Sequence, residues 1–340
     1  MNVFESDIRG QGAALRDLVD HADDFADVAA QLDFTSFDRI VLSGMGGSHY
    51  AGYPAWLGLV DRGLPAWWID AAELLHHAAH LVDERTLLWL TSQSGESAEI
   101  VELVHGLPTA GRPAVVALTN TPGSTLARAA DHVVEIHAGA EHAVSTKTYV
   151  NTLGAFALVL ATADPAPIVR ELEQAAFALD TWSASLDAAV KQATGLLGQA
   201  RSLVIIGRGA SLAAARAGAL TIKEAAKTHA EALGAGAFRH GPVELAGPDL
   251  TVAVLEGDAE TSIRNRALAE DVAAYGSPVL WIGEQSPAGV FSLPSPKVDG
   301  ALGRSIAEIA ALQVCSLALA RLRGIEPGVF RFATKVTTIQ

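Results

Sequence analysis

The sequence predicts an α/β protein made of two similar halves, each built on a mainly parallel sheet. The first reason is a repeated strand, glycine turn and helix: Arg39-Ile40-Val41-Leu42-Ser43 enters Gly44-Met45-Gly46-Gly47-Ser48, and far downstream Ser202-Leu203-Val204-Ile205-Ile206 enters Gly207-Arg208-Gly209-Ala210-Ser211. The second is that the strand candidates are short continuous apolar runs, which suits strands covered on both faces. The third is size and composition: 340 residues, half of them hydrophobic, suffice for two packed cores.

In chain order, Met1 to Leu32 reads as one acidic helix with Asp23, Asp24 and Asp27 on a solvated face. After the first glycine turn a helix runs through Trp56, and Ala66 to Ile69, with Trp67 and Trp68, is strand-like. Thr86 to Leu90, Ala114 to Thr119 and His132 to Ile136 complete the strands of the first half. Asp164-Pro165-Ala166-Pro167 breaks the apolar helix 153–163, and Ile168 to Leu197 reads as a helical connection. In the second half, Leu250 to Leu255 and Pro278 to Ile282 are strands. The expected division is a helical segment 1–32, a domain 33–165, a connection 166–197, a domain 198–333 and a tail 334–340.

Charge and cysteine usage narrow the function. A net charge of −14 argues against a nucleic-acid or anionic-membrane surface, so the ligand should be small. The longest apolar stretch, Leu153 to Ala163, is too short for a bilayer, and Met1-Asn2-Val3-Phe4-Glu5-Ser6 has no basic flank or apolar signal core, so a cytoplasmic protein is expected. Cys315 is the single cysteine, which leaves no internal disulfide or cysteine metal cluster, and its neighbours Ala310, Leu312, Leu317 and Ala318 mark it as packing. His76 and His80 are an i, i+4 pair without the H-E-x-x-H pattern, so no metal is expected. Neither glycine turn fits G-x-G-x-x-G, because His49 and Leu212 stand where the third glycine belongs; no nicotinamide or other cofactor is expected.

The most informative stretch is Ser92-Gln93-Ser94-Gly95-Glu96-Ser97, between the strand 86–90 and the helix from Ala98 to Val104. A helix start leaves backbone N–H groups unpaired and carries partial positive charge, and serine hydroxyls add donors that rotate to meet phosphate oxygens. One serine would serve as a cap. Several polar donors around a glycine suit a phosphate.

Gly44 to Ser48, Ser92 to Ser97, Glu141-His142-Ala143-Val144-Ser145-Thr146-Lys147, Lys223-Glu224, His229-Ala230-Glu231-Ala232 and Arg239-His240-Gly241-Pro242 together resemble, in residues and in order, the sugar isomerase (SIS) family. The likeness is to two-SIS-domain proteins such as the isomerase half of glutamine:fructose-6-phosphate amidotransferase, and it runs to the terminal Thr334-Lys335-Val336-Thr337-Thr338-Ile339-Gln340. It implies two flavodoxin-like three-layer α/β/α SIS domains, the first binding a sugar phosphate through Ser48, Ser92, Gln93, Ser94 and Ser97, with Gly46 and Gly47 letting backbone approach the ligand. Ser145 matches a sugar-contacting serine in a loop one residue shorter than E-x-x-V-A-S-T-K. Glu224 matches the proton-shuttling glutamate, and His240 the histidine that opens the sugar ring from a loop donated by the neighbouring subunit, which implies a homodimer. Lys335 matches a lysine that contacts the open-chain carbonyl, as a nucleophile if neutral or as a charge against an enediolate.

Two departures stand out: Thr221 and Ala237 replace a lysine and a frequent glutamate of the amidotransferases. Lys227 lies on the same helical face as Glu224. The chain moves from Met1-Asn2 almost directly into the SIS region, so no glutaminase domain with an N-terminal cysteine is expected and glutamine would not supply ammonia. The resemblance therefore implies a hexose or amino-hexose 6-phosphate isomerase, deaminating for an amino sugar. A deglycase of a sugar-phosphate amine adduct and a non-catalytic sugar-phosphate sensor are the alternatives, the latter without an evident segment for a DNA-binding domain.

Overall fold

The computed structural model describes residues 2–161, 164–198 and 200–338; Ile339 and Gln340 of the tail, Thr162 and Ala163 at the end of the apolar stretch, Gln199 and Met1 lie outside them. Among the described residues ten strands are formed: β1 (Arg39–Gly44), β2 (Ala66–Asp70), β3 (Thr86–Thr91), β4 (Ala114–Thr119), β5 (His132–Glu135), β6 (Ser202–Gly207), β7 (Ala230–Gly234), β8 (Leu250–Leu255), β9 (Val279–Ile282) and β10 (Phe291–Leu293). The helices are α1 (Val3–Arg9), α2 (Gln11–Asp20), α3 (Ala22–Gln31), α4 (Gly46–Asp61), α5 (Ala71–Glu73), α6 (Ala98–Gly106), α7 (Thr125–Ala129), α8 (Lys147–Leu160), α9 (Ala166–Ala184), α10 (Leu186–Leu197), α11 (Ser211–Ala226), α12 (Ala235–Arg239), α13 (Ala259–Ala274) and α14 (Ala301–Leu322).

The strands make two five-stranded sheets, ordered β2-β1-β3-β4-β5 and β10-β9-β8-β6-β7, and every pairing is parallel. Each order reverses once, between β1 and β3 and between β6 and β8, as in a flavodoxin-like sheet. The two-domain α/β architecture read from the glycine turns is the one found.

The chain divides into two compact units. The first comprises Ala14–Glu141, Lys147–Arg170 and Phe332–Gln340, and the second Met1–Ala13, His142–Thr146 and Glu171–Arg331. In the first unit every residue of β3 is buried. Val41, Leu88, Leu90, Val115 and Ala117 pack on Ile100, Leu103 and Val104 of α6 and Leu126 of α7. Trp89, the next residue along, points to the opposite face, where its ring stacks with Phe34 at 6.3 Å and meets Phe156 of α8 at 5.0 Å. Helices thus cover both faces, and each large side chain enclosed this way contributes about 2 kcal/mol of burial.

In the second unit Val204, Ile206, Val252, Val254 and Trp281 pack on Phe238 and on Leu268 and Val272 of α13. Gly218 of α11 meets α14: a Cβ there would stand 2.4 Å from Leu312 Cδ1, so glycine permits the close approach. By length and composition α14 could cross a bilayer, with a mean hydropathy of 1.5, yet 89% of that window is buried within the fold, as in a core helix. Cys315 is buried in it as expected, and burial pushes its thiol up to about 12, which leaves it unreactive.

The structure differs from the sequence reading at three places. Residues 2–32 form three helices, α1 to α3, interrupted at Gly10 and His21. The strand β7 was not anticipated, because Ala-Glu-Ala-Leu-Gly has low strand propensity, nor was β10, which has three residues at a sheet edge.

Candidate functional site

The register of β1 on β3 pairs Gly44 with Thr91, so the turn after β1 and the loop after β3 leave the carboxyl edge of the sheet side by side where the strand order reverses. A Cβ on Gly44 would lie 2.8 Å from the Thr91 carbonyl oxygen, which reserves that position for glycine. Gly46 has φ +52°, and Gly46, Gly47 and half-buried Ser48 make the first turn of α4, whose preceding residue Met45 supplies no side-chain cap. Backbone donors are therefore concentrated at this edge. The turn is fixed from behind: His49 is buried, its ring stacks on Trp68 with centroids 3.8 Å apart, and Trp68 Nε1 donates to the His49 carbonyl at 2.8 Å.

The loop Ser92–Ser97 is shaped by its own hydroxyls. Ser92 is buried; its Oγ accepts the Gly95 N–H at 3.1 Å and lies 3.2 Å from Ser97 Oγ. Ser94 Oγ accepts the Glu96 N–H at 3.1 Å. The Gln93 carbonyl accepts Thr119 Oγ1 at 3.2 Å and the Asn120 N–H at 3.0 Å, and Glu96 Oε1 accepts the Thr125 N–H at 2.7 Å, so the loop is tied to the end of β4 and the start of α7. Gly95 has φ +65°, and a Cβ there would stand 2.1 Å from Ser124 Oγ. Ser97 occupies the N-cap of α6 without a side-chain bond to that helix. Gln93, Ser94 and Ser97 are half-buried and keep hydrogen-bonding capacity beyond these contacts.

The tail joins this region of the first unit. Thr337 accepts the Ala98 N–H of α6 at 3.0 Å, and Lys335 Nζ lies 2.6 Å from Glu141 Oε2. The structure thus gathers Gly46, Gly47, Ser48, Ser92, Gln93, Ser94, Ser97 and Lys335 in one unit, while Ser145, Glu224 and His240 belong to the other. Ser145 is half-buried in the segment His142–Thr146. Glu224 is half-buried in the last turn of α11. The next cation, Lys227, adopts φ +51°, donates its amine to the Glu224 carbonyl and lies 5.9 Å from the Phe330 ring centroid. Burial and the nearby Arg331 lower the Lys227 proton affinity, and Glu224 opposes them. His240 is exposed at the end of α12, its N–H bonded to the Ala237 carbonyl at 3.1 Å, before Gly241 at φ +131°.

The second unit has an equivalent edge between β6 and β8. A Cβ on Gly207 would lie 2.6 Å from the Ser211 carbonyl, and Gly209 repeats the φ of +52° seen at Gly46. Here the chain's own side chains use the loop donors. Glu308 of α14, fully buried, accepts the Gly257 N–H at 2.9 Å. Glu256 accepts the Glu284 N–H at 2.8 Å and pairs with Arg304 at 3.3 Å. Asn265 binds the Leu255 and Glu256 carbonyls, each at 3.1 Å, and accepts Arg208 Nε at 2.9 Å. Burial pushes the Glu308 carboxyl up to about 7, against the Ser211 hydroxyl, the Gly257 amide and Arg304, which pull it down.

Sequence reasoning gave no role to Glu141 or Thr148. Glu141 was visible only as part of a motif, and its partner Lys335 lies 194 residues away.

The SIS domain family model matches residues 33–162 and 196–287, more than half of the chain. A glutamine–fructose-6-phosphate aminotransferase (isomerizing) of Pyrococcus horikoshii is 31% identical over 319 residues, which is 89% of this chain and 52% of that protein. The chain spans about half the length of such curated relatives. Among solved structures, the C-terminal domain of glucosamine-fructose-6-phosphate aminotransferase from Francisella tularensis superposes with a TM-score of 0.77 at 21% identity, over 96% of this chain and 98% of that one. Tagatose-6-phosphate ketose/aldose isomerase from Escherichia coli gives 0.82 at 19% identity, over 96% and 94%. At those identities the structural likeness speaks to the fold.

Proposed function

The chain belongs to the SIS domain family, and from that premise we propose that it is an aldose–ketose isomerase for a hexose or amino-hexose 6-phosphate, releasing ammonia when the sugar carries a 2-amino group. The observation that carries this reading is the hydroxyl loop Ser92–Ser97 at the reversal point of the first sheet, beside the uncapped start of α4. Rotatable hydroxyls and aligned amides suit a phosphate monoester, which needs many donors.

In the proposed reaction Ser48, Gln93, Ser94 and Ser97 hold the phosphate, Ser92 shapes the loop around it, and Gly46 and Gly47 leave room for the ester. Ser145 contacts the sugar. His240 opens the ring by taking the anomeric hydroxyl proton and protonating the ring oxygen. Glu224 then removes the proton from the carbon beside the carbonyl, giving an enediolate; the hydroxyl proton passes from the second oxygen to the first, and Glu224 returns its proton to the former carbonyl carbon, so the step conserves atoms and charge. For a 2-amino sugar the same shift gives a ketimine, which water cleaves to ketose and ammonia. Lys335 places positive charge near the carbonyl oxygen. The active form is a homodimer in which the His240 loop serves the neighbouring subunit.

The test is to supply purified protein with glucosamine 6-phosphate and fructose 6-phosphate and follow ketose, aldose and ammonia by coupled assay. Turnover of either is expected. Tight binding without turnover would instead favour a sensor, and release of free amine from a sugar-phosphate amine adduct a deglycase. Absence of any phosphosugar binding overturns the reading.

A further inference from the structure

Glu141 takes no part in the proton transfers above, yet its side chain has 0% exposure and is held from several directions within the first unit. Oε1 accepts the Thr148 N–H at 3.1 Å, and Oε2 accepts the Thr148 hydroxyl at 2.7 Å and the Lys335 ammonium at 2.6 Å. Thr148 lies in the first turn of α8, so the carboxylate also meets the partial positive charge of a helix start. A buried carboxylate needs such compensation, and an amide, a hydroxyl and a cation together supply it.

The cation comes from a mostly exposed tail. Phe332, Ala333, Thr334 and Thr337 are exposed, whereas the Lys335 side chain is 25% exposed. Two residues beyond Lys335, the Thr337 carbonyl is bonded to the first residue of α6, the helix that starts from the hydroxyl loop. The tail is thus fixed at two points around Val336, one of them the Glu141 carboxylate. A lysine on a flexible stem has many rotamers, and an anchoring carboxylate selects among them. An amine already donating to a carboxylate at 2.6 Å is arranged as a charged hydrogen-bond donor.

We infer that Glu141 is a positioning residue that seats Lys335, with Thr148 orienting it, so that the lysine serves the reaction as a fixed cation. This rests on the isomerase reading for the role of Lys335, while the seating of the tail stands apart from it.

The experiment is a double-mutant cycle on isomerisation, using Glu141→Gln, Lys335→Met and both together. Glu141→Gln is expected to lower kcat at least tenfold with KM within twofold, and adding it to Lys335→Met should cost less than a further twofold, because both act through one amine. An unchanged kcat in Glu141→Gln, or losses that multiply in the double variant, overturns the inference. Thr148→Val, which removes one hydroxyl from the carboxylate, should lower kcat several-fold and Thr148→Ser should restore it. That pair decides the matter if Glu141→Gln fails to fold. Hydrogen exchange of the 333–338 amides provides a readout without turnover: protection should fall at least tenfold in Glu141→Gln, and unchanged protection overturns the seating. Full activity in Lys335→Met together with lost tail protection in Glu141→Gln would retain the seating and remove the catalytic role of the lysine.

Discussion

The two sheet edges share a backbone and differ in what meets the loop amides after their second strand. In both, a glycine at φ +52° follows the first strand of its sheet and leads into a helix at the reversal of strand order. At β6 and β8, the Gly257 amide is taken by the buried carboxylate of Glu308. At β1 and β3 the Gly95 and Glu96 amides of the corresponding loop are taken by serine hydroxyls, and the Ala98 amide by the neutral Thr337 carbonyl. A carboxylate is a strong internal competitor for an anionic ligand, and a carbonyl is a weak one. On the proposed function, the first edge takes an anionic ligand because hydroxyls and a carbonyl, weaker competitors than a carboxylate, meet its loop amides.

This division of labour is sharpened most by separating chemistry from grip. Glu224→Gln should lower kcat by roughly 10²–10⁴ while leaving phosphosugar affinity within threefold, and Ser94→Ala should raise KM about tenfold with little change in kcat. Steady-state kinetics and calorimetric binding measure both, and an active Glu224→Gln removes the base assignment.

The glycines offer the next contrast. Gly95→Ala combines positive φ with a 2.1 Å approach to Ser124, so it should cost about 2–4 kcal/mol in stability and weaken ligand binding at least tenfold. Gly209→Ala also has positive φ, but its nearest neighbour is Asp258 Oδ2 at 3.5 Å, so a loss of about 1 kcal/mol and unchanged ligand affinity are expected. Equal effects on binding would erase the distinction between the two edges.

The smallest effect depends on pH. In the fold Glu308 binds its proton with a value of about 7, above the ordinary 4.5, so between these limits the folded chain holds more proton than the unfolded one. Stability from this group is therefore full below about pH 4.5, falls as pH rises toward 7 and levels off above it, a change of about 3 kcal/mol at most. Glu308→Gln keeps an acceptor for Gly257 and should flatten that slope, gaining on the wild type at pH 8 but not at pH 4.5 in urea titrations. A parallel pair of stability curves would show that the carboxylate is not what distinguishes this edge.

Much of the fold was legible because its signals are local. The run Thr86–Thr91 is apolar at its four central positions and buried throughout, and the turns Gly44–Ser48 and Gly207–Ser211 carry glycine where φ or close approach requires it. β7 was hidden because its alanines and glutamate take strand form from pairing with β6 rather than from propensity. Of the site, the hydroxyl loop could be read from its composition. Glu308 could not, since a single acid in a helical run looks like a surface charge until the packing of α14 encloses it. Glu141 is equally silent, because its compensation is assembled from α8 and the tail.

The grouping of chain segments has a consequence for any attempt to halve the polypeptide. Residues Met1–Ala13 belong with the later sheet, and Phe332–Gln340 with the earlier one. A fragment cut after Arg170 would retain the hydroxyl loop Ser92–Ser97 and lose Lys335, while the complementary piece would lack the amino-terminal helix α1. Splitting this protein for complementation or domain exchange therefore calls for grafting short end pieces across the cut, rather than for choosing a better place to cut.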